Sequence, residues 1–168
     1  MNLSLCMIVR NESEPLPRCL ASVRSLVDEM VIVDTGSTDE TVAIAQSFGA
    51  QVFHAEWQDD FAAARNEALQ HVNGKWVLVL DADEEIAPDS VPALRQIMQD
   101  DETLVVNLVR QEIGAVQSPY SMVSRLFRQH PDLQFAHPYH ASIDDSVLHI
   151  LQQEPQWRVV DLPDIAIL

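Results

Sequence analysis

Two aspartates one residue apart, Asp81 and Asp83, follow directly on an apolar run in the segment VLVLDADEEI (residues 77–86). On an extended segment, residues i and i+2 point the same way, so one cation could reach both carboxylates. Mg²⁺ and Mn²⁺ prefer oxygen ligands and keep waters and substrate phosphates in their coordination shell. The D-x-D pair therefore predicts a Mg²⁺ or Mn²⁺ site that binds a diphosphate. The alternative is a solvated acidic turn in which Asp83 or Glu84 caps a helix.

Polar residues also follow two earlier apolar segments of the chain. The sequence Arg10-Asn11-Glu12 comes after the first segment, and Asp34-Thr35-Gly36-Ser37 comes after the second. In an open α/β sheet, ligands bind outside the carboxyl ends of the strands. We therefore expect these two clusters and the D-x-D pair to lie along one edge of a sheet.

Two further polar residues could contact a nucleotide. Asp34 could accept hydrogen bonds from a nucleobase imide N–H or a ribose hydroxyl, or it could only shape the turn at Gly36. Arg65 lies on a predicted helix among alanines, whose small side chains would let a ligand approach closely. It could neutralise a phosphate or donate to a base carbonyl, or it could be a surface arginine paired with Asp59 or Asp60.

The elements that must position these residues alternate between strand and helix in the first half of the chain. Strands are predicted at residues 3–9, 30–33, 51–54, 76–80 and 104–109, and helices at 14–26, 37–48, 61–72 and 89–98. The S-x-x-E sequence at 37–40 is predicted to open its helix as a capping box. The less regular second half has predicted strands at 120–127 and 158–162 and a helix at 146–153. This alternation predicts an α/β fold, a mainly parallel Rossmann-like sheet flanked by helices.

Composition limits the classes of partner. The 168 residues fit a single domain, and 26 acidic against 10 basic residues give a net charge of −16, which disfavours nucleic acids and anionic membranes by repulsion. No apolar stretch nears the ~18–20 residues of a membrane span. Cys6 and Cys19 lack metal-like spacing, so we predict buried thiols in a reducing compartment and a cytoplasmic protein. The apolar run at 165–168 predicts a chain truncated within a strand.

Four sequence blocks, in this order, resemble the N-terminal half of family 2 glycosyltransferases. The blocks are LSLCMIVRNE, VIVDTGSTDET, DDFAAARNEAL and GKWVLVLDADEE, and the resemblance covers roughly residues 3–90. It is closest to the bacterial branch whose catalytic domain often precedes helical repeats. SRLFR at 124–128, followed by FAHPYHASID, resembles the acceptor-side segment of that branch. The resemblance implies a glycosyltransferase A fold, with a nucleotide-sugar-binding half at 1–110 and an acceptor-side half at 111–168.

The resemblance also implies residue roles and a reaction. Asp34 would hold the uracil or an equivalent base, and Glu12 and Arg65 would complete the nucleotide pocket. Asp81 would face the ribose and the metal, and Asp83 would be the direct ligand of Mg²⁺ or Mn²⁺. The reaction would be inverting transfer from a nucleotide-diphospho-sugar, such as a UDP-sugar, to a hydroxyl of an unknown saccharide, lipid or protein acceptor.

The chain departs from the family pattern at the expected general base. Members with a segment like SRLFR usually carry a His-Glu pair, whereas this chain has His140 followed by Ala141. His140 could still serve as a metal ligand or as a polar wall. Asp144 and Asp145 are the nearest carboxylates, and either is a candidate for the catalytic base.

Two other functions are compatible with parts of the sequence. A non-catalytic nucleotide-sugar-binding or assembly module would explain Ala141. A phosphohydrolase of the haloacid-dehalogenase type also carries D-x-D after an apolar strand, but there the motif lies on the first strand and a small hydroxyl residue follows. Here the motif follows the fourth predicted strand and Glu84 comes next, so this alternative ranks lowest.

Overall fold

The computed structural model describes residues 2–168, which form seven strands and five α-helices. The strands are β1 (Leu3–Val9), β2 (Glu29–Asp34), β3 (Gln51–His54), β4 (Trp76–Val79), β5 (Thr103–Gln111), β6 (Tyr120–Arg128) and β7 (Arg158–Ile167). The helices are α1 (Leu16–Val23), α2 (Thr41–Ser47), α3 (Phe61–Leu69), α4 (Val91–Ile97) and α5 (Asp144–Gln153), and a 3₁₀ turn (Pro88–Ser90) precedes α4.

All seven strands belong to one sheet, in the order β3-β2-β1-β4-β6-β5-β7. β6 runs antiparallel to its neighbours β4 and β5, and the remaining neighbours among the described strands pair in parallel. The predicted mainly parallel α/β sheet is therefore confirmed. Because β6 comes from the second half of the chain and lies between β4 and β5, the two predicted halves share one sheet.

Both faces of the sheet are covered, which explains the continuous apolar strands. Successive β1 residues point to opposite faces, so Leu5 and Met7 pack in one core cluster and Cys6 in the other. Helix α1 covers the first face, and α3 and α5 cover the second. The carboxyl ends of β1, β2 and β4 meet at one edge, as the strand assignments predicted.

The predicted capping box at 37–40 is wrong. Helix α2 begins at Thr41, and its first turn has no side-chain cap from Ser37. The Ser37 hydroxyl instead accepts a hydrogen bond from the backbone N–H of Asn11, at 2.9 Å. Asp39 accepts from the Thr41 N–H at 3.0 Å, so the intervening residues form a turn rather than a helix.

Strand β7 is longer than the predicted 158–162. Its register against β5 shifts between Leu162 and Ile165, which leaves Pro163 and Asp164 as a bulge, and pairing then resumes to Ile167. Proline lacks an N–H for the ladder, and such residues are found at bulges. The apolar residues at 165–167 therefore belong to this strand.

Two expectations from the sequence concern the burial of the cysteines and the absence of a membrane-spanning segment. Cys6 and Cys19 are buried free thiols, as predicted, and burial raises the pKa of each to about 12, so both stay protonated at neutral pH. Within residues 2–168, every helix is too short or too polar to cross a bilayer.

Candidate active site at the carboxyl edge of the sheet

A cleft of about 490 Å³ lies at the carboxyl ends of β1, β2 and β4 and beside the first turns of α3. Its walls are formed by Ile8, Val9, Arg10, Glu12, Thr35, Trp57, Phe61, Arg65, Asp81, Ala82 and Asp83. Each of the three polar clusters predicted to converge contributes to this wall. The convergence depends on the parallel order β2-β1-β4, which places all three strand ends together.

The loops after β1 and β2 are bonded to each other, and this fixes Glu12. Asn11 adopts a left-handed φ of 52°, which asparagine tolerates better than most residues. Its side-chain oxygen accepts from the Thr38 N–H at 2.8 Å, and the Glu12 N–H donates to the Thr41 hydroxyl at 2.9 Å. The Glu12 carboxylate is thereby held at the wall of the cleft.

The Glu12 carboxyl is affected by the negative charges of neighbouring carboxylates. Burial raises the pKa of its carboxyl, and the charges of Asp83, Asp81 and Asp39 raise it further. Since neighbouring carboxylates repel one another, a cation bound between them would be stabilised by all of these charges. The raised pKa of Glu12 thus reports a concentration of negative charge on this side of the cleft.

Asp34 uses its two carboxylate oxygens differently. Oδ2 accepts hydrogen bonds from the N–H groups of Gly36 and Ser37, at 3.2 and 3.1 Å, which is the turn-shaping role considered from the sequence. Oδ1 is buried and has no hydrogen-bond partner among the described residues. Buried carboxylate oxygens are normally paired, so Oδ1 is an exception to which the described residues supply no donor. Thr35, rather than Asp34, lines the cleft itself.

Asp81 is bound by two arginines. Arg65 Nη2 donates to Oδ1 at 2.8 Å, and Arg125 Nη2 donates to Oδ2 at 3.4 Å. Burial raises the pKa of Asp81, but the charges of Arg125 and Arg65 outweigh that effect and hold it below its usual value. Asp81 is therefore ionised at neutral pH.

The alternative pairing of Arg65 with Asp59 or Asp60 is wrong. Asp60 caps α3 by accepting from the Ala63 N–H at 3.1 Å, and Asp59 accepts from the indole of Trp57 at 3.1 Å. Both aspartates are thus used by the loop before α3. Arg65 reaches across to the end of β4 instead.

Glu84 has a role that the sequence analysis missed. Its side chain is 7% exposed, and Oε1 accepts from the Asp81 N–H at 2.7 Å and from Arg125 Nη1 at 3.0 Å. Oε2 accepts from Arg110 Nη1 at 3.3 Å. Glu84 therefore closes the turn that carries the D-x-D pair and does not cap a helix. Arg110 and Arg125 neutralise it from β5 and β6, and no local sequence signal connects these strands to the turn.

The residues at the end of β4 suit a divalent cation only in part. Asp83 is exposed and lines the cleft with Asp81, whose side chain is 41% exposed, so a cation can reach both. Across residues 2–168, no three His, Cys, Asp or Glu side chains are grouped closely enough to hold a metal ion. Two carboxylates with the remaining positions left to phosphate and water fit Mg²⁺ or Mn²⁺. The metal roles of Asp81 and Asp83 stay predictions.

A second cavity of about 330 Å³ shares Arg65 with the main cleft. Its lining also includes Arg125, His140 and Asp144. His140 therefore lies beside the neighbouring cavity and not in the wall of the cleft that contains Asp83. Its role as a metal ligand stays a prediction.

The two candidate bases have different surroundings. Helix α5 begins at Asp144, earlier than the predicted residue 146, so both aspartates lie in its first turn. Asp144 lines the second cavity, whereas Asp145 is paired with His137 at 3.0 Å on the surface. Asp144 is thus the better placed carboxylate, and its catalytic role stays a prediction.

The strand order and the acidic turn after β4 define a glycosyltransferase A fold. TarS of S. aureus (residues 1–349) superposes with a TM-score of 0.76, at 18% identity, over 99% of this chain and 60% of TarS. Glucosyl-3-phosphoglycerate synthase from Mycobacterium tuberculosis, solved with Mn²⁺, UDP and glucosyl-3-phosphoglycerate, superposes with a TM-score of 0.71, at 19% identity, over 96% and 70% of the two chains.

The sequence comparisons identify the family. The model of the family described as glycosyl transferase family 2 matches residues 4–159, so the chain belongs to that family. A TPR repeat-containing protein of Synechococcus elongatus is 52% identical over 161 residues, which are 96% of this chain and 40% of that protein. An uncharacterized glycosyltransferase of Rickettsia bellii is 28% identical over 87% of this chain and 52% of its own length. The chain thus spans about half, or less, of these relatives.

Proposed function

We propose that this chain is a glycosyltransferase catalytic domain that transfers a sugar from a nucleotide-diphospho-sugar to an acceptor hydroxyl. The donor is a UDP-sugar, the transfer inverts the anomeric centre, and the reaction depends on Mg²⁺ or Mn²⁺. Residues 1–110 bind the donor, residues 111–168 face the acceptor, and the protein works in the cytoplasm. The observation that carries the proposal is the cleft in which Asp81, Asp83, Arg65 and Glu12 converge.

Known structures of this fold support the donor class. TarS has been solved in complex with UDP-GlcNAc, and that structure superposes with a TM-score of 0.71. The M. tuberculosis synthase has been solved with UDP and either Mg²⁺ or Mn²⁺. In this chain, Asp34 Oδ1 is a buried acceptor without a partner, next in sequence to Thr35 of the cleft wall, and we assign it to a base N–H. Arg65, which lines the cleft, would donate to a phosphate oxygen.

The residues present can support the steps of an inverting transfer. A bound cation would neutralise charge on the departing diphosphate. Arg65 stabilises the same charge by donating to phosphate oxygens. Asp144 takes the proton from the acceptor hydroxyl as the oxygen attacks the anomeric carbon, and the bond from that carbon to the diphosphate breaks.

Metal-dependent donor binding and transfer provide the first test. We expect the protein with Mn²⁺ and a panel of nucleotide sugars to release nucleotide, and Asp83→Ala to lower UDP affinity in Mn²⁺ at least ~100-fold, about 2.7 kcal/mol. Calorimetry measures the affinity and nucleotide release measures turnover. Glu85→Gln is the matched control, because it removes a charge from the same acidic turn but lies outside the cleft lining. Equal UDP affinity of Asp83→Ala and the wild type would contradict the metal assignment.

The non-catalytic module is the second candidate function, and Ala141 favours it, because the family usually has a glutamate there. Asp144→Asn separates the two. If Asp144 is the base, this variant keeps UDP affinity and loses sugar transfer by ~100-fold or more. UDP binding by the wild type without any turnover, when saccharide, lipid and peptide acceptors are supplied, would favour the module.

A further inference from the structure

The end of β4 contains two positive side chains where the proposed function requires a cation. Arg65 and Arg125 contact different oxygens of Asp81, so both carboxylate oxygens are engaged. A metal ion that bound Asp81 would have to share this carboxylate with guanidinium groups or displace them. Like charges so close together oppose binding of a free cation.

Arg125 is held firmly in this position. Its Nη1 donates to Glu84 Oε1 at 3.0 Å and to the carbonyl of Val79 at 3.4 Å, while its Nη2 contacts Asp81. Glu84 is itself buried and bonded to the Asp81 N–H. Moving Arg125 away from the end of β4 would therefore break its ion pair with the buried Glu84.

A diphosphate would change this balance. Its oxygens accept charge-assisted hydrogen bonds from arginine and also bind Mg²⁺ or Mn²⁺. A ligand that brings negative charge thus relieves the repulsion between the cation and the two arginines. Neither the cation alone nor the diphosphate alone has this advantage.

We propose that Arg125, anchored by Glu84, is a positioning residue that couples cation binding to diphosphate binding at Asp81. The arginine competes with a free cation, and it attracts the diphosphate that arrives with the cation. This inference rests on the proposed function, and it adds a reason why the cleft binds the metal–nucleotide complex better than either component.

Calorimetry tests the coupling in a set of titrations. Mn²⁺ is titrated alone, UDP is titrated in EDTA, and each ligand is titrated into protein saturated with the other. By linkage, Mn²⁺ must raise UDP affinity by the same factor as UDP raises Mn²⁺ affinity. In Arg125→Met we expect the affinity for Mn²⁺ alone to rise ~3–10-fold and the affinity for UDP alone to fall by a similar factor. The coupling factor between the two ligands should also fall. Arg125→Lys keeps the charge but not the separate contacts of the two guanidinium nitrogens, so its affinities should lie between those of the wild type and Arg125→Met.

The affinity for Mn²⁺ alone should rise and the affinity for UDP alone should fall. These opposite changes distinguish this role from a purely structural one, since a damaged site would bind both ligands more weakly. Arg125→Met leaves Glu84 with one arginine partner, so the double variant Arg125→Met/Glu84→Gln removes that charge as well and provides a second, foldable test. Its glutamine oxygen can still accept from the Asp81 N–H. Because the double variant loses the Glu84 charge too, its reference is Glu84→Gln, and it should bind Mn²⁺ alone more tightly than Glu84→Gln does.

Two results would overturn the inference, and they differ in what else they affect. The first is that folded Arg125→Met binds Mn²⁺ alone no more tightly than the wild type does, and the double variant no more tightly than Glu84→Gln does. If the wild type still binds UDP in Mn²⁺, this result would overturn the coupling role and leave the proposed function standing. The second is that the wild type fails to bind UDP in Mg²⁺ and in Mn²⁺, which would overturn the coupling role and the proposed function together.

Discussion

The two edges of the sheet both carry buried carboxylates, but at the amino edge both oxygens of Glu29 have hydrogen-bond partners, whereas at the carboxyl edge one oxygen of Asp34 has none. At the start of β2, Glu29 Oε2 accepts from the Ser4 hydroxyl and from the Asn73 N–H, the latter at 2.9 Å, and Oε1 accepts from the Asn73 side chain at 2.8 Å. The Ser4 hydroxyl also accepts from the Gly74 N–H at 2.8 Å. This network joins the starts of β1, β2 and β4.

The carboxyl edge is different. Asp34 keeps one buried oxygen without a partner, and Asp83 is exposed in the cleft. Asp81 is paired, but with arginines that a diphosphate could also bind. A carboxylate whose two oxygens are both hydrogen-bonded inside the protein stabilises the fold, whereas an exposed carboxylate, or one whose partners can be exchanged, can bind a ligand.

Removing Glu29 should have the largest effect on stability. Glu29→Ala leaves the Ser4 hydroxyl and two Asn73 donors without their acceptor, so we expect a loss of about 3 kcal/mol in the free energy of unfolding. Denaturant unfolding measures this loss. Exposed Glu14→Ala should change the same quantity by less than ~0.5 kcal/mol. If Glu29→Ala leaves the free energy of unfolding nearly unchanged, the proposed difference between the two edges is wrong.

At the other edge, Asp34→Asn should affect binding and spare the fold. The asparagine oxygen can still accept from Gly36 and Ser37, but an N–H₂ group replaces the free Oδ1. We expect UDP affinity to fall ~10-fold, about 1.4 kcal/mol, with unfolding free energy unchanged within ~1 kcal/mol. Calorimetry and denaturant unfolding measure the two quantities. Equal binding of uridine and adenosine diphosphates by both proteins would remove the role of Asp34 in base recognition.

Ligand-induced stabilisation should be confined to the carboxyl edge. UDP with Mn²⁺ at ten times the dissociation constant stabilises the folded state by about 1.4 kcal/mol, which should raise the melting temperature by ~4 °C. Thermal scans of the wild type and of Asp83→Ala measure this. A flat response of the wild type would contradict the site, and an equal rise in Asp83→Ala would show that the cation binds elsewhere.

The smallest effect concerns pH at the amino edge. Burial raises the pKa of Glu29, but hydrogen bonds from Ser4, Asn73 and Gly74 outweigh it, so the pKa lies below its usual value. The stabilisation is therefore present above the unfolded-state pKa of about 4.3 and is lost as pH falls through the lower folded-state pKa. The stability advantage of the wild type over Glu29→Gln should shrink below pH ~4. If the difference in unfolding free energy between the wild type and Glu29→Gln stays constant below pH ~4, ionisation of Glu29 contributes nothing to stability.

The sequence predicted the features that depend on neighbours along the chain. The apolar runs identified the strands, and the position of Asp81 and Asp83 just after one of them predicted a polar edge. The charge partners of this edge were not predicted, because Arg110 and Arg125 reach Glu84 only through the pairing of β5 and β6 with the sheet. No spacing in the sequence encodes that register.

Local sequence patterns also suggested the wrong contacts in two places. The S-x-x-E pattern at 37–40 favours a helix start, but Asn11 on a different loop takes the Ser37 hydroxyl. Likewise, Arg65 had nearby aspartates available in sequence, and it contacts Asp81 instead. In both cases a contact between distant segments replaced the local one.

The residue between the two aspartates links the cleft to the interior. Ala82 is 3% exposed and packs within the core cluster beneath the edge. A larger residue at this position would have to push the backbone outward and would change the spacing of both carboxylates at once. Substitutions in the core around Ala82 would therefore alter the spacing of Asp81 and Asp83 without replacing either residue.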